Sequence, residues 1–498
     1  MMKIKRIIIF VLLFIFIMPI MGCGSQGDPD DTTPVTPPAQ NPVDENLNFG
    51  DPVVPEKEIV ERRVLSVTVS NATIEENEYT LEDVYYSHVP YLVKRGAIKA
   101  GDPDYKEHID ENKIEADYQA KKVTFNDNSS EIKIFLDGAE KGEDVLVSIY
   151  VYIQGENFDP RFLADENEVV ADYLLPQSWN KLNYISKVQQ DSEDKFYVSL
   201  IVDDVSGSVI YIKDVVVTTY NVPKNLLGGA ILYQLPSQTK MSSNEYEQNE
   251  SYVLLTPDKK IIVMDGGCPG DGEYLYNFIK CLGNEVEAWF ISHPHTDHYG
   301  AIMNLLQNRN LNIKQLYYDF GDINWIKNNS PSSMPYIQEF EKQVKLHGIP
   351  VKKPVKDDVY EFGSVKVKVL NNAEHYSYYG GIGGMNSLSI IYKVYTACAD
   401  ILFLGDADVD EGKWLIENVP AEDLKSTIVQ MAHHGQNGVD EDLYQVISPK
   451  ICLWPNVEWI WHNRYNTNIY STYYTRHWMQ ELGVVKNYLA KDGLCVIK

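Results

Sequence analysis

Basic residues are scarce in this 498-residue chain, which has 44 Lys and Arg against 71 Asp and Glu. The formal net charge of −27 makes nucleic acid an unlikely general partner, because contacts with phosphate groups need a basic face. Cysteine is also scarce: six residues and no CxxC pair argue against a disulfide framework and against a zinc site built from thiolates. An apolar run near the start, residues 7–20, is shorter than the roughly 20 residues that span a bilayer.

Apolar residues are plentiful, since 44% of the chain is hydrophobic and 11% is aromatic. This composition excludes wholesale disorder, and the length predicts two or three domains. We expect a signal peptide at residues 1–23, a linker at 24–59, a β-sandwich domain at 60–224 and a mixed helix-and-sheet domain at 225–498.

The N-terminal segment has the order of a secretory signal: three basic residues, a short apolar run and then Gly22-Cys23. The Gly22-Cys23 pair resembles the lipoprotein box of bacteria, which implies that Cys23 carries lipid and anchors the protein to the membrane at the bacterial cell surface, outside the cytoplasm. An ordinary signal peptide with an incidental cysteine is the alternative. Residues 24–59 contain seven prolines and eight acidic residues, which predicts an extended linker.

Short β-rich runs follow at 123–125, 132–136, 145–153, 196–202 and 209–217. Several alternate apolar with polar residues, as half-buried strands do, so we expect an all-β sandwich. The stretch from residue 145 resembles the jelly-roll domains that bind carbohydrate, which implies a glycan partner; a spacer role is the alternative. Trp179 fits a core position better than an exposed platform.

Four metal-binding side chains occur within six residues immediately after the predicted strand 286–292: His293, His295, Asp297 and His298. A loop at a strand end is fixed by the sheet while its side chains reach a cleft. Imidazole and carboxylate groups are the ligands that suit Zn²⁺ and related ions. The pattern therefore predicts a metal centre.

The motif resembles the second motif of the metallo-β-lactamase superfamily, and three further blocks match in order: Met264-Asp265-Gly266-Gly267, Gly405-Asp406 and His433-His434-Gly435. The resemblance covers about 228–498 and implies an αββα sandwich, so that the whole chain is of the α+β class. The HHG ending and Asn386-Ser387-Leu388 resemble the branch that contains the hydrolase domain of DNA-uptake channel proteins and the choline-phosphate esterases.

The resemblance implies two divalent metal ions, expected to be Zn²⁺. It places His293 and His295 on the first ion, and Asp297, His298 and His434 on the second ion, with Asp406 between the two. Asp265 would orient a ligand, Asp297 would also orient the attacking water, and His433 would contact the substrate or leaving group. His433 and His434 could exchange these roles.

The third motif of the superfamily is the uncertain one. His375 lies in the right place to be a further ligand of the first ion, but it could equally be a loop residue. His347 follows a predicted helix at 336–346 and precedes Gly348, so we interpret it as a residue that stabilises the helix end.

These features predict a cell-surface, metal-dependent hydrolase in which water attacks a phosphodiester or phosphoester of an envelope or extracellular substrate, small or polymeric. Two alternatives stay open: an extracellular nuclease, and a surface-binding lipoprotein without catalytic activity. The large additional domain and the HHG ending disfavour a true lactamase.

Overall fold

The computed structural model describes residues 60–84, 113–154, 160–164, 169–172, 174, 178–203, 205–220, 225–243, 245–374, 384–461 and 472–498. The predicted signal peptide, the linker, Cys23 and His375 lie outside these residues. In the part that is described, no helix is both long and apolar enough to cross a bilayer.

The first part of the chain, residues 60–220, forms strands and turns wherever it is described, and the strand pairs there are antiparallel. Its strands are β1 (Glu61–Val69), β2 (Ala72–Val84), β3 (Lys113–Phe125), β4 (Ser129–Asp137), β5 (Asp144–Ile153), β6 (Arg161–Leu163), β7 (Val169–Asp172), β8 (Trp179–Lys187), β9 (Gln189–Gln190), β10 (Phe196–Asp203) and β11 (Val209–Thr219).

Strand β1 divides these strands into two layers, because it pairs with β11 at its start and with β4 along the rest of its length. One layer has the order β2-β3-β11-β5-β8, and the other has the order β1-β4-β10-β6-β7. Alternate residues of both layers, such as Val147 in β5 and Ile134 in β4, share one hydrophobic core. The two layers form the β sandwich that the alternating pattern predicts.

Trp179 is buried on the outer side of this sandwich rather than exposed as a platform. Its ring contacts those of Tyr118 and Tyr152, and the Lys213 ammonium lies 4.2 Å from the ring centroid. Asn183 of the same strand, β8, donates a 2.7 Å hydrogen bond to the Gln480 carbonyl. The outer face around Trp179 is therefore partly covered by the second half of the chain.

The second half contains two further sheets. The first sheet contains β12 (Ile231–Gln234), β13 (Ser251–Leu255), β14 (Ile261–Asp265), β15 (Glu285–Phe290), β16 (Asn312–Ile313), β17 (Leu316–Tyr317), β18 (Val351–Lys352) and, from the end of the chain, β26 (Cys495–Ile497). The second sheet has the order β19 (Val359–Phe362), β20 (Val365–Val369), β21 (Tyr392–Tyr395), β22 (Asp400–Phe403), β23 (Ile428–Gln430), β24 (Ile451–Trp454) and β25 (Lys486–Leu489).

The helices in the described part of the chain are α1 (Gly272–Leu282), α2 (Thr296–Asn308), α3 (Ile323–Asn329), α4 (Met334–Leu346), α5 (Val409–Asn418), α6 (Ala421–Leu424), α7 (Glu441–Ile447), α8 (Glu458–Trp461) and α9 (Thr472–Glu481). Short 3-10 turns occur at Pro269–Asp271, Pro331–Ser333, Gly384–Leu388, Ala432–Gly435 and Ala490–Asp492.

The central strands of both sheets are apolar on both faces. This explains why each sheet packs against the other sheet on one face and against helices on the other. In β14, Ile262 and Met264 pack against the second sheet, whereas Ile261 and Val263 pack against α1, α2 and α4. In the second sheet Leu402 faces the other way, toward α5, α7 and α9. A strand buried on both sides needs cover on both sides. The result is the predicted αββα sandwich, and the chain is of the α+β class.

The parallel strands bring the predicted motifs to one edge. Strand β15 runs parallel to β14, and β22, β23 and β24 run parallel to one another. Asp265 ends β14, His293 follows β15, Asp406 follows β22 and His433 follows β23. Since the carboxyl ends of parallel strands meet at one edge, four segments distant in the sequence converge there.

Asp408 begins α5, and its carboxylate accepts hydrogen bonds of 2.9 Å from the backbone N–H groups of Asp410 and Glu411. We expect Asp408→Ala to lower the free energy of unfolding by about 1 kcal/mol, because two helix-start N–H groups lose their acceptor. Urea unfolding would measure this loss, and metal content should stay at the wild-type value. A loss of metal without a loss of stability would contradict the assignment of Asp408 as a helix cap.

Candidate metal centre

The loop after β15 supplies the first ligands. His293 and His298 are fully buried, and His293 Nε2 lies 2.9 Å from His295 Nδ1. Asp297 and His298 occupy the first turn of α2, so the helix start fixes their direction. The loop thus directs three imidazoles and one carboxylate into a small volume.

Asp406 lies between these side chains. Its Oδ1 is 3.2 Å from His298 Nε2, and its Oδ2 is 3.7 Å from His293 Nε2. The preceding Gly405 has φ of 52°, and a Cβ added there would lie 2.9 Å from the Ser292 Cβ. Only glycine permits this close approach of the two loops at little cost, and the approach brings the Asp406 carboxylate against the histidines.

The segment Ala432–Gly435 has an unusual backbone, with His433 and His434 at φ of 51° and 57°. Left-handed conformations cost energy in residues other than glycine and cluster at functional sites. His434 is fully buried; its Nδ1 lies 2.8 Å from the Pro455 carbonyl oxygen, so Nδ1–H donates there. Its Nε2 then points toward Asp297 Oδ2 at 3.2 Å and Asp406 Oδ1 at 3.6 Å.

His433 is placed differently from its neighbour. Its side chain is 20% exposed, and its Nε2 lies 3.8 Å from Asp406 Oδ2 and 3.2 Å from Asn386 Nδ2. His433 also forms a hydrogen bond with the backbone of Asn437. His434 thus lies within the buried cluster and His433 at its rim, and the division of roles between them stays a prediction.

Asp265 fixes the orientation of one predicted ligand, His298. Its two oxygens accept from Ser292 N at 2.7 Å and Ser292 Oγ at 2.8 Å, and its Oδ2 lies 3.0 Å from His298 Nδ1. The carboxylate therefore takes the Nδ1–H of His298 and leaves Nε2 free to bind a metal, the usual arrangement around ligating histidines. This is the role that the sequence predicts for Asp265.

Four groups of possible ligand atoms, each with all atoms within 4.8 Å of one another, occur among the described residues, and two of them consist of predicted ligands: His293, His295 and Asp406, and Asp297, His298 and His434; the other two include Glu250. We call the two groups of predicted ligands the first and second ligand groups. His298 Nε2, His434 Nε2 and Asp406 Oδ1 are buried and have no hydrogen-bond partner among the described residues. Buried polar atoms without partners are costly, and a cation would satisfy all three. The side chains therefore fit a pair of divalent metal ions.

The charges of the centre are strongly coupled. Burial acts to raise the pKa of Asp297, but His298 and His434 outweigh it, and the pKa is lowered. Burial lowers the pKa of His293, and the positive charge of His298 lowers it further. Burial acts to lower the pKa of His298 and of His434, but Asp406 outweighs it and both pKa values are raised, so each of these imidazoles would release a proton on binding a metal ion.

Three polar residues of this region, Gln248, Glu250 and Gln430, belong to none of the predicted motifs, and the sequence did not predict a role for them. Gln248 Nε2 donates to Asp297 Oδ2 at 2.9 Å, and Gln430 Nε2 donates to Glu250 Oε2 at 3.0 Å. Burial raises the pKa of Glu250 well above its usual value. Gln248 and Glu250 belong to a run of four polar residues, 247–250, directly before the buried strand β13, and such a run has no pattern that marks a site.

His347 is exposed at the C-terminal end of α4, as predicted. His375 lies outside the described residues, so its role as a further ligand stays a prediction.

The sequence model of the family described as "Metallo-beta-lactamase superfamily" matches residues 246–314, which include Asp265 and the whole loop from His293 to His298. The chain thus contains a segment that matches the metallo-β-lactamase superfamily. The predicted ligands Asp406 and His434 lie beyond the matched segment. No curated protein matches the chain by sequence.

Among solved structures, the chain is similar to CmlA, a diiron β-hydroxylase from Streptomyces venezuelae, at 10% identity and a TM-score of 0.36; the match covers 56% of this chain and 55% of CmlA. Unliganded yeast PDE1 has 11% identity and a TM-score of 0.34, over 52% of this chain and 98% of PDE1. A putative zinc-dependent hydrolase of the superfamily from Thermotoga maritima has 10% identity and a TM-score of 0.23, over 45% and 74%. This chain thus spans about half the length of CmlA.

Proposed function

We propose that this protein is a metal-dependent hydrolase that cleaves a phosphodiester or phosphoester of an envelope or extracellular substrate. The observation that carries the proposal is the meeting of the two ligand groups at Asp406, whose two oxygens face His298 and His293. Two divalent metal ions, expected to be Zn²⁺, would supply Lewis acidity and lower the pKa of water.

The protein's own residues supply the rest of the chemistry. The first and second ligand groups would hold the two ions, and Asp265 fixes the ring of His298 through Nδ1. Asp297 lies at the start of α2 with one oxygen beside His434 Nε2, where it can also orient the attacking water. His433 Nε2 faces Asp406 from the rim, so it can pass a proton to a departing oxygen.

The substrate class rests on the sequence. The HHG ending resembles the choline-phosphate esterase branch, and the net charge of −27 disfavours a polyanion such as DNA. A pair of ions that clamps the attacking and leaving oxygens suits displacement at phosphorus.

A substrate panel tests the proposal on the full-length, metal-loaded protein. The panel consists of bis-p-nitrophenyl phosphate, p-nitrophenyl phosphocholine, single-stranded DNA and a chromogenic lactam. We expect the first two to be turned over at the highest kcat/KM, with Asp406→Ala as the blank for contaminating enzymes. Faster cleavage of DNA would favour the nuclease alternative. No turnover of any substrate at full metal content would favour a surface-binding protein.

We also propose that lipid on Cys23 anchors the protein to the membrane at the cell surface. The support is the basic start, the short apolar run and Gly22-Cys23, followed by a proline- and acid-rich segment. We expect Cys23→Ser to move the protein from the membrane fraction to the soluble fraction and to abolish labelling by a fatty-acid probe. Cys398→Ser, which changes an exposed thiol, should leave both unchanged. Membrane retention of Cys23→Ser would contradict the anchor.

A further inference from the structure

We propose that Gln248 is a positioning residue for the metal ligand Asp297, and that Gln436 holds Gln248 in place. Gln248 Nε2 donates to Asp297 Oδ2 at 2.9 Å, and Gln436 Nε2 donates to Gln248 Oε1 at 3.1 Å. The two amides form a short chain from the segment after the HHG turn to the start of α2. The inference rests on the proposed metal-dependent function.

The direction of this chain follows from chemistry. An ionised carboxylate is an acceptor only, so the amide nitrogen of Gln248 must face Asp297. The amide oxygen of Gln248 then faces away, where it needs a donor, and the Gln436 amide supplies it. Each amide has one workable orientation, so the chain fixes the rotation of the Asp297 carboxylate rather than merely contacting it.

The backbone of Gln248 is itself fixed. Its carbonyl oxygen accepts from Cys268 Sγ at 3.1 Å, and two residues later Glu250 N donates to the Asp297 carbonyl at 3.0 Å. Residues 248 and 250 of this extended segment point to the same side, toward the metal centre, while Asn249 Nδ2 bonds to the Leu235 carbonyl on the other side. The segment before β13 is thus a support for the start of α2.

Loss of the Gln248 amide should affect the binding of one metal ion and not of the other. Asp297 belongs to the second ligand group and is absent from the first, whose members are His293, His295 and Asp406. Hydrogen bonds that orient ligands are worth about 10–100-fold in metal affinity. Loss of the Gln248 amide should therefore weaken the second metal equivalent and spare the first.

Gln248→Met tests this, because methionine keeps the length of the side chain and removes the donor. Equilibrium dialysis of the full-length protein against buffered Zn²⁺ gives the affinity of each equivalent, and thermal unfolding of the metal-free protein gives stability. We expect one equivalent of Gln248→Met to lose about 10–100-fold in affinity and the other equivalent to keep the wild-type affinity. Gln343→Met is the matched control: it removes an amide that donates to the Glu339 carboxylate at 2.7 Å in α4, and both affinities should stay unchanged.

A double-mutant cycle separates positioning from packing. If Gln436 acts through Gln248, Gln436→Met should weaken the same equivalent by less, and the double variant should be no worse than Gln248→Met alone. Unchanged affinity of both equivalents in Gln248→Met would overturn the role of Gln248 and leave the metal-dependent function intact. Equal weakening of both equivalents with a lowered melting temperature would also overturn it. A wild-type protein that binds no metal would overturn both proposals.

Discussion

Replacing Asp406 by alanine is expected to remove bound metal from both ligand groups and to abolish hydrolysis. Asp406 is the side chain that faces both groups, with Oδ1 at 3.2 Å from His298 Nε2 and Oδ2 at 3.7 Å from His293 Nε2. A metal ion contributes several kcal/mol of charge stabilisation to a hydrolytic transition state. Its loss corresponds to a fall of about a thousandfold or more in kcat/KM.

Metal content by mass spectrometry and kcat/KM on a phosphodiester measure the two effects. Asp406→Asn keeps the shape of the side chain, so it covers the case in which the alanine variant does not fold. Asp423→Ala is the control. Asp423 pairs with Lys368 of β20 at 2.8 Å and contacts Tyr395 of β21, at the end of the second sheet that lies away from Asp406. This variant should keep full metal content and activity. Full metal content and activity in Asp406→Ala would remove the basis of the proposed function.

The elements around the metal centre could be predicted closely because their patterns are strong. The sequence predicts a strand at 286–292 and a helix ending at Leu346, and the structure has β15 at Glu285–Phe290 and α4 at Met334–Leu346. Long apolar runs and glycine turns specify such elements locally. The histidine motif follows a strand, so its position in the fold could be predicted with it.

The first strands of the sandwich could not be predicted in this way. Strand β2, Ala72–Val84, is rich in Glu, Asn and Asp, and it is held by pairing along its whole length with β3. Residues of low strand propensity adopt a strand when a partner supplies the ladder, and no local pattern reports that partner.

Contacts between segments that are distant in the sequence could not be predicted from local patterns either. Gln248 and Gln436 are 188 residues apart, and Gln430 and Glu250 are 180 residues apart. A single glutamine has no characteristic pattern around it, and its role depends on which side chain the fold brings opposite. The motif residues that the fold brings together, Asp265 among them, could therefore be named from the sequence, whereas Gln248, Gln436 and Gln430 became visible in the structure.

The second large effect is expected on replacing the two adjacent histidines, His433 and His434. The two variants should lose activity for different reasons. His434 is buried with Nδ1 held by the Pro455 carbonyl and Nε2 beside Asp297, so His434→Ala should lose one of two metal equivalents and most activity. His433 lies at the rim, where Nε2 is 3.8 Å from Asp406 Oδ2. His433→Ala should keep both equivalents.

The activity of His433→Ala should depend on the leaving group. A proton donor matters when the departing oxygen is basic and matters little when it leaves easily, so we expect a loss of about 100-fold or more on an alkyl phosphodiester. On a p-nitrophenyl ester the same variant should stay near the wild type. Metal content and kcat on both substrates, for both variants, separate the two histidines. Loss of a metal equivalent in His433→Ala, with retention in His434→Ala, would mean that the two roles are exchanged.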